Sequence, residues 1–245
     1  MNRQLAGLAG AFLFSLNSLA QSKPDSGALE CLLEPSIVAN VGSPVDGVLE
    51  SVAVDRGDAV RKGQVVATLQ SGVEAASVKL SEARVEFGKR KVERNEVLYQ
   101  KQLISAHERD EMVTEARLHE EELKRNREIL RQRTIVSPLD GVVVERRLAP
   151  GEFIRTDKSV VLRLARINPL HVEVIAPASL FGAVRVGMTG SVSIAPFFPG
   201  TYRAKVVAVD RVIDAASGTV GVRLELPNPG NRIPAGLKCS VMFGK

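Results

Sequence analysis

Between Pro44 and Pro138 the chain has no proline, and over 73–133 its apolar residues recur at helical spacing amid dense charge. That segment holds 14 Lys/Arg and 13 Asp/Glu, and Gly88 is its sole glycine. This is the composition of long solvated helices. Val73, Leu80 and Phe87 repeat every seven residues, and Ala76, Ala83 and Val97 continue an adjacent stripe interrupted by Arg90. Ala116, Leu123 and Leu130 form a second seven-residue series. A narrow apolar seam with charged flanks predicts a coiled coil. The halves separate at Gln102-Leu103-Ile104-Ser105, where Ser105 followed by Glu108 is a capping-box pattern opening a second helix. The pattern therefore predicts two antiparallel helices of about 28 residues, each about 42 Å long at 1.5 Å per residue.

On either side of this segment the pattern shortens to strand length. Val48 to Val54 and Val65 to Leu69 flank a turn at Arg56-Gly57-Asp58. The two flanks also resemble each other. Ser43-Pro44-Val45-Asp46-Gly47-Val48 matches Ser137-Pro138-Leu139-Asp140-Gly141-Val142, and Gly57-Asp58-Ala59-Val60 matches Gly151-Glu152-Phe153-Ile154. Both blocks keep one offset of 94 residues; Gly63 against Asp157 breaks the repeat. Each half is too small to bury a core, so the two are expected to pack as one flattened β-sandwich with the helical pair projecting from it. After Asn168, alternating runs at Leu170–Ile175, Gly190–Ala195, Tyr202–Val209 and Val220–Leu226 are separated by turn clusters. They predict a small β-barrel. Leu29 to Leu33 is a further strand candidate.

At the N-terminus, Arg3 precedes an apolar run from Leu5 to Leu16 and then Ser18-Leu19-Ala20. That run is short for a membrane span and fits a cleaved export signal over 1–20, with an uncleaved anchor as the alternative. No later run is long and apolar enough to span a bilayer. Export changes how the two cysteines, Cys31 and Cys239, read: a disulfide is expected in an oxidising compartment, against two buried thiols.

Composition narrows the function. Aromatics are 4% with no Trp, which argues against a stacking surface for single-stranded nucleic acid. The net charge of +5 is unevenly spread: residues 134–245 carry 14 Lys/Arg against 8 Asp/Glu, and residues 21–72 carry 4 against 7. A basic barrel end suits an anionic membrane surface or acidic pump loops, and ordinary surface charge accounts for it equally well. His107, His119 and His171 share no ligand spacing, and Met1, Met112, Met188 and Met242 do not cluster. No nucleophile, phosphate-loop or zinc motif is present, so the expectation is no enzyme, no cofactor and no metal.

The order of split repeat, helical insert and barrel, with Val54-Asp55-Arg56-Gly57-Asp58 and the C-terminal Asn228 … Ile233-Pro234-Ala235-Gly236, resembles the periplasmic adaptors, or membrane-fusion proteins, of the HlyD-like family. Ala235-Gly236-Leu237 stands where that family usually has Pro-Gly-Met. The resemblance implies a mostly β fold with a long α-hairpin: a split lipoyl-like (biotinyl-like) β-sandwich interrupted by an antiparallel coiled-coil hairpin and followed by a small β-barrel. The implied division is a signal peptide (1–20), a strand joining the barrel (21–36), lipoyl-like half 1 (37–72), the hairpin (73–133), half 2 (134–167) and the barrel (168–245). A lipoyl or biotinyl carrier role is excluded because the hairpin replaces the turn that bears the modified lysine; Lys79 would lie on a helix.

Adaptors of this class that dock onto TolC-like outer-membrane channels carry Arg, Leu and Ser spaced four and then seven apart. Arg94, Leu98 and Ser105 have that spacing here. The resemblance makes them a channel-docking tip; the plainer reading is a solvated charge, a seam residue and a helix cap. The family further implies a periplasmic protein at the inner-membrane surface. Its partners would be an inner-membrane efflux transporter of the resistance-nodulation-division type, an outer-membrane channel and other copies in a ring. An ABC-type exporter is the second candidate pump. From another class, a structural or adhesive coiled-coil spacer of the envelope is the alternative.

Overall fold

The structure, a computed structural model, describes residues 27–244; the expected signal peptide over 1–20 lies outside them. Strand β1 (Leu29–Val41) is followed by β2 (Gly47–Val52), β3 (Ala59–Val60) and β4 (Val65–Leu69). Helices α1 (Gly72–Gln100) and α2 (Ala106–Arg131) come next. Then come β5 (Thr134–Val136), β6 (Gly141–Arg146), β7 (Phe153–Ile154) and the long β8 (Leu162–Pro177). The chain ends with β9 (Thr189–Ile194), β10 (Phe198–Val209), β11 (Thr219–Leu226) and β12 (Lys238–Phe243). The fold is mostly β, with a closed six-stranded barrel, a half-barrel and two helices.

The barrel runs β1-β12-β9-β10-β11-β8 and closes where β8 pairs with β1. Alternation along each strand builds its core. Leu170, Val172, Val174 and Ala176 of β8 point inward, as do Val220, Val222, Leu224 and Leu226 of β11. Leu33 and Val241 meet them from the first and last strands. Inward placement of every second residue is the condition for a half-buried antiparallel strand.

The first and second halves of the repeat interleave rather than stand apart. One layer is β5-β4-β2-β7; the other adds β6 and β3 to the lower parts of β8 and β1. Pairings between halves come in matched sets: Gly47↔Ile154 and Val48↔Phe153 between β2 and β7, Val60↔Gly141 and Ala59↔Val142 between β6 and β3. Adding 94 to one set and exchanging partners produces the other. The N–H of Gly57 donates to the Val143 carbonyl (2.9 Å), and that of Gly151 to the Leu49 carbonyl (2.7 Å), by the same rule. Gly57 and Gly151 have φ of 95° and 91°, a region open to glycine at little steric cost. The repeat is thus an internal two-fold, and a two-fold contact asks the same residue twice. It departs at Gly63 because the second turn is one residue longer. Arg61 N–H donates to Gln64 in the first copy, whereas Arg155 N–H donates to Ser159 in the second.

No linker separates sandwich from barrel. Strand β1 pairs with β8 from Cys31↔Val174 through to Val41↔Leu162, with one register shift between Pro35 and Ile37. The expected boundaries after 36 and after 167 both fall inside continuous strands. The junction is fastened by Asn228, whose side chain is 1% exposed yet fully used. Its amide donates to the carbonyls of Ile167 (2.9 Å) and Ile233 (2.8 Å) and accepts from the N–H of Ile233 (3.0 Å). A buried amide needs such partners to offset its lost hydration. Cys31 and Cys239 are directly opposite in the β1–β12 pairing and are joined by a disulfide.

Candidate functional site

The two helices pack antiparallel, and polar pairs mark their register. Asn126 donates to the Ser81 hydroxyl (2.7 Å), Arg84 to Glu122 (3.0 Å), Lys91 to Glu115 (2.7 Å) and Arg109 to Glu96 (2.9 Å). The α2 side of the seam is the expected one: Leu123 is buried, and Ala116 and Leu130 are half-buried.

On α1 the expected seam is displaced. Val78, Ser81 and Gly88 are the buried residues, with Val85, Val92, Asn95 and Tyr99 half-buried along the same line. Val73, Leu80 and Phe87 instead face solvent, at 78%, 56% and 60% exposure. The two series have the same period and differ in phase. The chosen phase brings small residues to the contact: a Cβ on Gly88 would meet Ala116 at 3.4 Å, so glycine there lets the helices approach closely. The Ser81–Asn126 pair places a satisfied polar layer in the seam, a device that specifies register.

At the base, Arg133 holds the hairpin to the sandwich. Its guanidinium donates to the Asp46 carbonyl (2.8 Å) and to Glu74 (2.6 Å). With exposures of 22% and 16%, the Arg133–Glu74 pair is better shielded than the other ion pairs along the hairpin. Charge-assisted hydrogen bonds of this kind are stronger than exposed ion pairs.

At the far end, α1 stops at Gln100 and α2 starts at Ala106. Gln102 turns the chain with φ of 57°, and the N–H of Leu103 returns to the Leu98 carbonyl (2.9 Å). Ser105 caps α2. Its hydroxyl accepts from the Glu108 N–H (3.2 Å), and Glu108 accepts from the Ser105 N–H (2.7 Å). That backbone hydrogen bond, then the one from the Ser105 hydroxyl, holds the Glu108 carboxyl below its ordinary range. One turn on, the Arg109 guanidinium lies 5.1 Å from the centre of the Tyr99 ring and bonds Glu96, which raises its pKa.

This Glu96–Arg109–Tyr99 clamp locks the last turn of α1 to the first of α2. The sequence reading missed it, although Val85, Val92 and Tyr99 are themselves seven apart. Arg94 and Ser105 are exposed and Leu98 is half-buried, so the tip presents a cation, part of a leucine and a capping serine. Arg94 makes no ion pair among the described residues. His107 and His119 lie on α2 and His171 on β8, each within reach of a different glutamate. Among the described residues no cluster of three or more His, Cys, Asp or Glu side chains is placed to hold a metal ion. No described helix is long and apolar enough to cross a membrane.

A family profile for the CzcB-like barrel-sandwich hybrid domain matches residues 37–165, just over half of the chain. The chain belongs to this barrel-sandwich hybrid family. A second profile, the CusB-like β-barrel domain, matches residues 169–245. The membrane-fusion-protein resemblance read from the sequence is therefore borne out at the level of family.

Among relatives, the solvent efflux pump periplasmic linker SrpA of Pseudomonas putida is 22% identical over 82% of this chain and 56% of its own length. The cobalt-zinc-cadmium resistance protein CzcB of Cupriavidus metallidurans is 27% identical over 84% of this chain and 42% of its own. The chain thus spans about half the length of these relatives. A solved MacA–MexA chimera carrying the Pseudomonas aeruginosa MexA α-hairpin domain superposes with a TM-score of 0.72 at 18% identity, covering 88% of this chain and 79% of that one. Its likeness establishes the hybrid fold.

Proposed function

We propose that this protein is a non-enzymatic periplasmic adaptor in a tripartite efflux complex. The barrel and barrel-sandwich hybrid would rest against an inner-membrane pump, and the hairpin would reach toward a TolC-like outer-membrane channel. The observation that carries this reading is the unbroken mechanical path. The β1–β8 ladder ties barrel to sandwich, Arg133 ties sandwich to hairpin base, and the seam carries that rigidity to the far end of the hairpin, where α1 ends and Ser105 opens α2. A spacer that transmits position between two membranes needs such continuity, because flexible linkers would lose it.

The linker and resistance relatives support a pump of the resistance-nodulation-division type over an ABC exporter. The protein would be periplasmic, peripheral at the inner membrane and assembled as a ring, since one thin hairpin encloses no conduit. Arg94 supplies the charge and Leu98 the apolar anchor of the channel contact, and Ser105 presents the capped end of α2.

The test is in-cell cross-linking followed by identification of captured membrane proteins, comparing wild type with an Arg94→Asp, Ser105→Arg variant. The expected result is recovery of a pump by both and of a channel by wild type alone. Recovery of neither by wild type would overturn the adaptor reading and favour an envelope spacer.

A further inference from the structure

Helices α1 and α2 stand on the sandwich without packing into it. Neither apolar cluster of the sandwich and barrel includes a residue of either helix. The chain crosses between sandwich and hairpin twice, at 70–71 and at 132–133. Backbone hydrogen bonds hold both crossings to the strands: the N–H of Leu69 donates to the Arg133 carbonyl (2.8 Å), and that of Gln70 to the Val48 carbonyl (2.9 Å). These bonds fix where the hairpin is attached. They do not fix where it points, because they lie on the strand side of both crossings, and the direction of a helix is ordinarily set by side chains packed across an interface. The entry to α1 has no local stiffener either: Ser71 precedes the helix and makes no side-chain hydrogen bond to its first turn.

Arg133 supplies what packing does not. Among the described residues, its guanidinium makes the one side-chain hydrogen bond that joins the hairpin and its base to the sandwich. One nitrogen donates to the Asp46 carbonyl, between β1 and β2, and the other to the Glu74 carboxylate, in the first turn of α1. A planar fork held at both ends constrains an angle as well as a distance. The seat is shaped for it, since a Cβ on Gly47 would lie 2.7 Å from the nitrogen that reaches Asp46. The 94-residue repeat puts Ala39 at the counterpart of Arg133, so the two-fold of the sandwich does not itself call for an arginine there.

Length makes this contact a lever. Helix α1 has 29 residues. At 1.5 Å per residue that is about 43 Å, so a turn of about 10° at the base moves the tip by about 7 Å, more than one helical turn.

We infer that Arg133 is the positioning residue that sets the direction of the hairpin on the sandwich. With the fork in place the tip is held on one line; without it the hairpin swings about its two crossings. The lock stands on the geometry of this chain alone. Its consequence, delivery of the tip to a channel, rests on the adaptor reading.

Pulsed electron-spin distance measurement on the full chain tests the lock. The two native cysteines are bonded to each other, so spin labels attach only at introduced ones. Glu50→Cys on the sandwich and Lys101→Cys at the end of the hairpin are both exposed positions. Wild type is expected to give one narrow distribution for this pair. Arg133→Met is expected to widen it at least twofold, and so is Gly47→Ala, which keeps both charges and only fills the seat. A control pair, Glu50→Cys with Arg203→Cys on the barrel, is expected to stay unchanged, as is the circular-dichroism spectrum. An unchanged Glu50–Lys101 distribution in both variants would overturn the inference. So would equal widening of the control pair, which would mean general loosening, or a wild-type distribution already as broad as the variants'. In the capture assay Arg133→Met is expected to recover at least fivefold less channel than wild type, with its tip residues intact and pump recovery unchanged. Equal channel recovery from a widened hairpin would overturn the positioning role. Capture of no channel by wild type would count against the adaptor reading alone, because the spin-label distances involve neither pump nor channel.

Discussion

The carboxylate of Asp46 accepts a hydrogen bond from the backbone N–H of Thr156, 110 residues away, at 2.8 Å. Its counterpart Asp140 accepts from the N–H of Lys62 at 2.9 Å. Each half of the sandwich therefore lends an aspartate to the turn of the other half, and the four residues obey the 94-residue offset. Asp46→Ala and Asp140→Ala should destabilise the protein by similar amounts, about 1 kcal/mol each. Asn at either position keeps an acceptor and should recover most of that loss. Thermal melts of the four variants check both the size and the equality.

Asn228 should be far less tolerant. Replacing it by Ala strands the carbonyls of Ile167 and Ile233 and the Ile233 N–H in a region 5–8% exposed at those residues. A loss of about 2–4 kcal/mol is expected, because buried polar groups would lose their partners without gaining water. Denaturant unfolding measures it. A loss under 1 kcal/mol would mean that water enters the junction.

The disulfide closes a sequence separation of 208 residues and ties the first barrel strand to the last. Constraining so long a loop in the unfolded chain should stabilise the oxidised protein by about 5 kcal/mol in the chain-entropy account. The double variant Cys31→Ser, Cys239→Ser should show that difference in denaturant unfolding. At 6% and 9% exposure the bridge should also resist reductant until the barrel opens.

Acid should loosen the hairpin tip. Glu108 has a pKa below its ordinary 4.5, with the Ser105 backbone N–H as the leading cause. Its folded pKa is depressed, so its contribution is present above 4.5 and is lost as pH falls through the lower folded value. Hydrogen-exchange protection of the first α2 amides should drop in that window for wild type. Glu108→Gln, which does not titrate, should show no such step relative to wild type.

Much of this architecture was legible in the residues. The 94-residue repeat could be read because an internal two-fold uses the same side chains twice, as at Asp46 and Asp140 or Gly57 and Gly151. The Ser105–Glu108 cap is local, closed within four residues, and so was visible as a pattern. The barrel strands showed because alternation at Val172, Val174 and Ala176 is imposed by one buried face.

What tertiary structure alone decided was phase and continuity. Both the Val73–Leu80–Phe87 and the Val78–Val85–Val92 series repeat every seven residues, and periodicity is blind to which one meets α2. The choice was made by close packing across the helix pair, where Gly88 admits Ala116 and Ser81 meets Asn126. Likewise, composition marks where sandwich and barrel change character. Only the pairing of β1 with β8 shows that two strands run through both, because strand partners are set by contacts far apart in the chain.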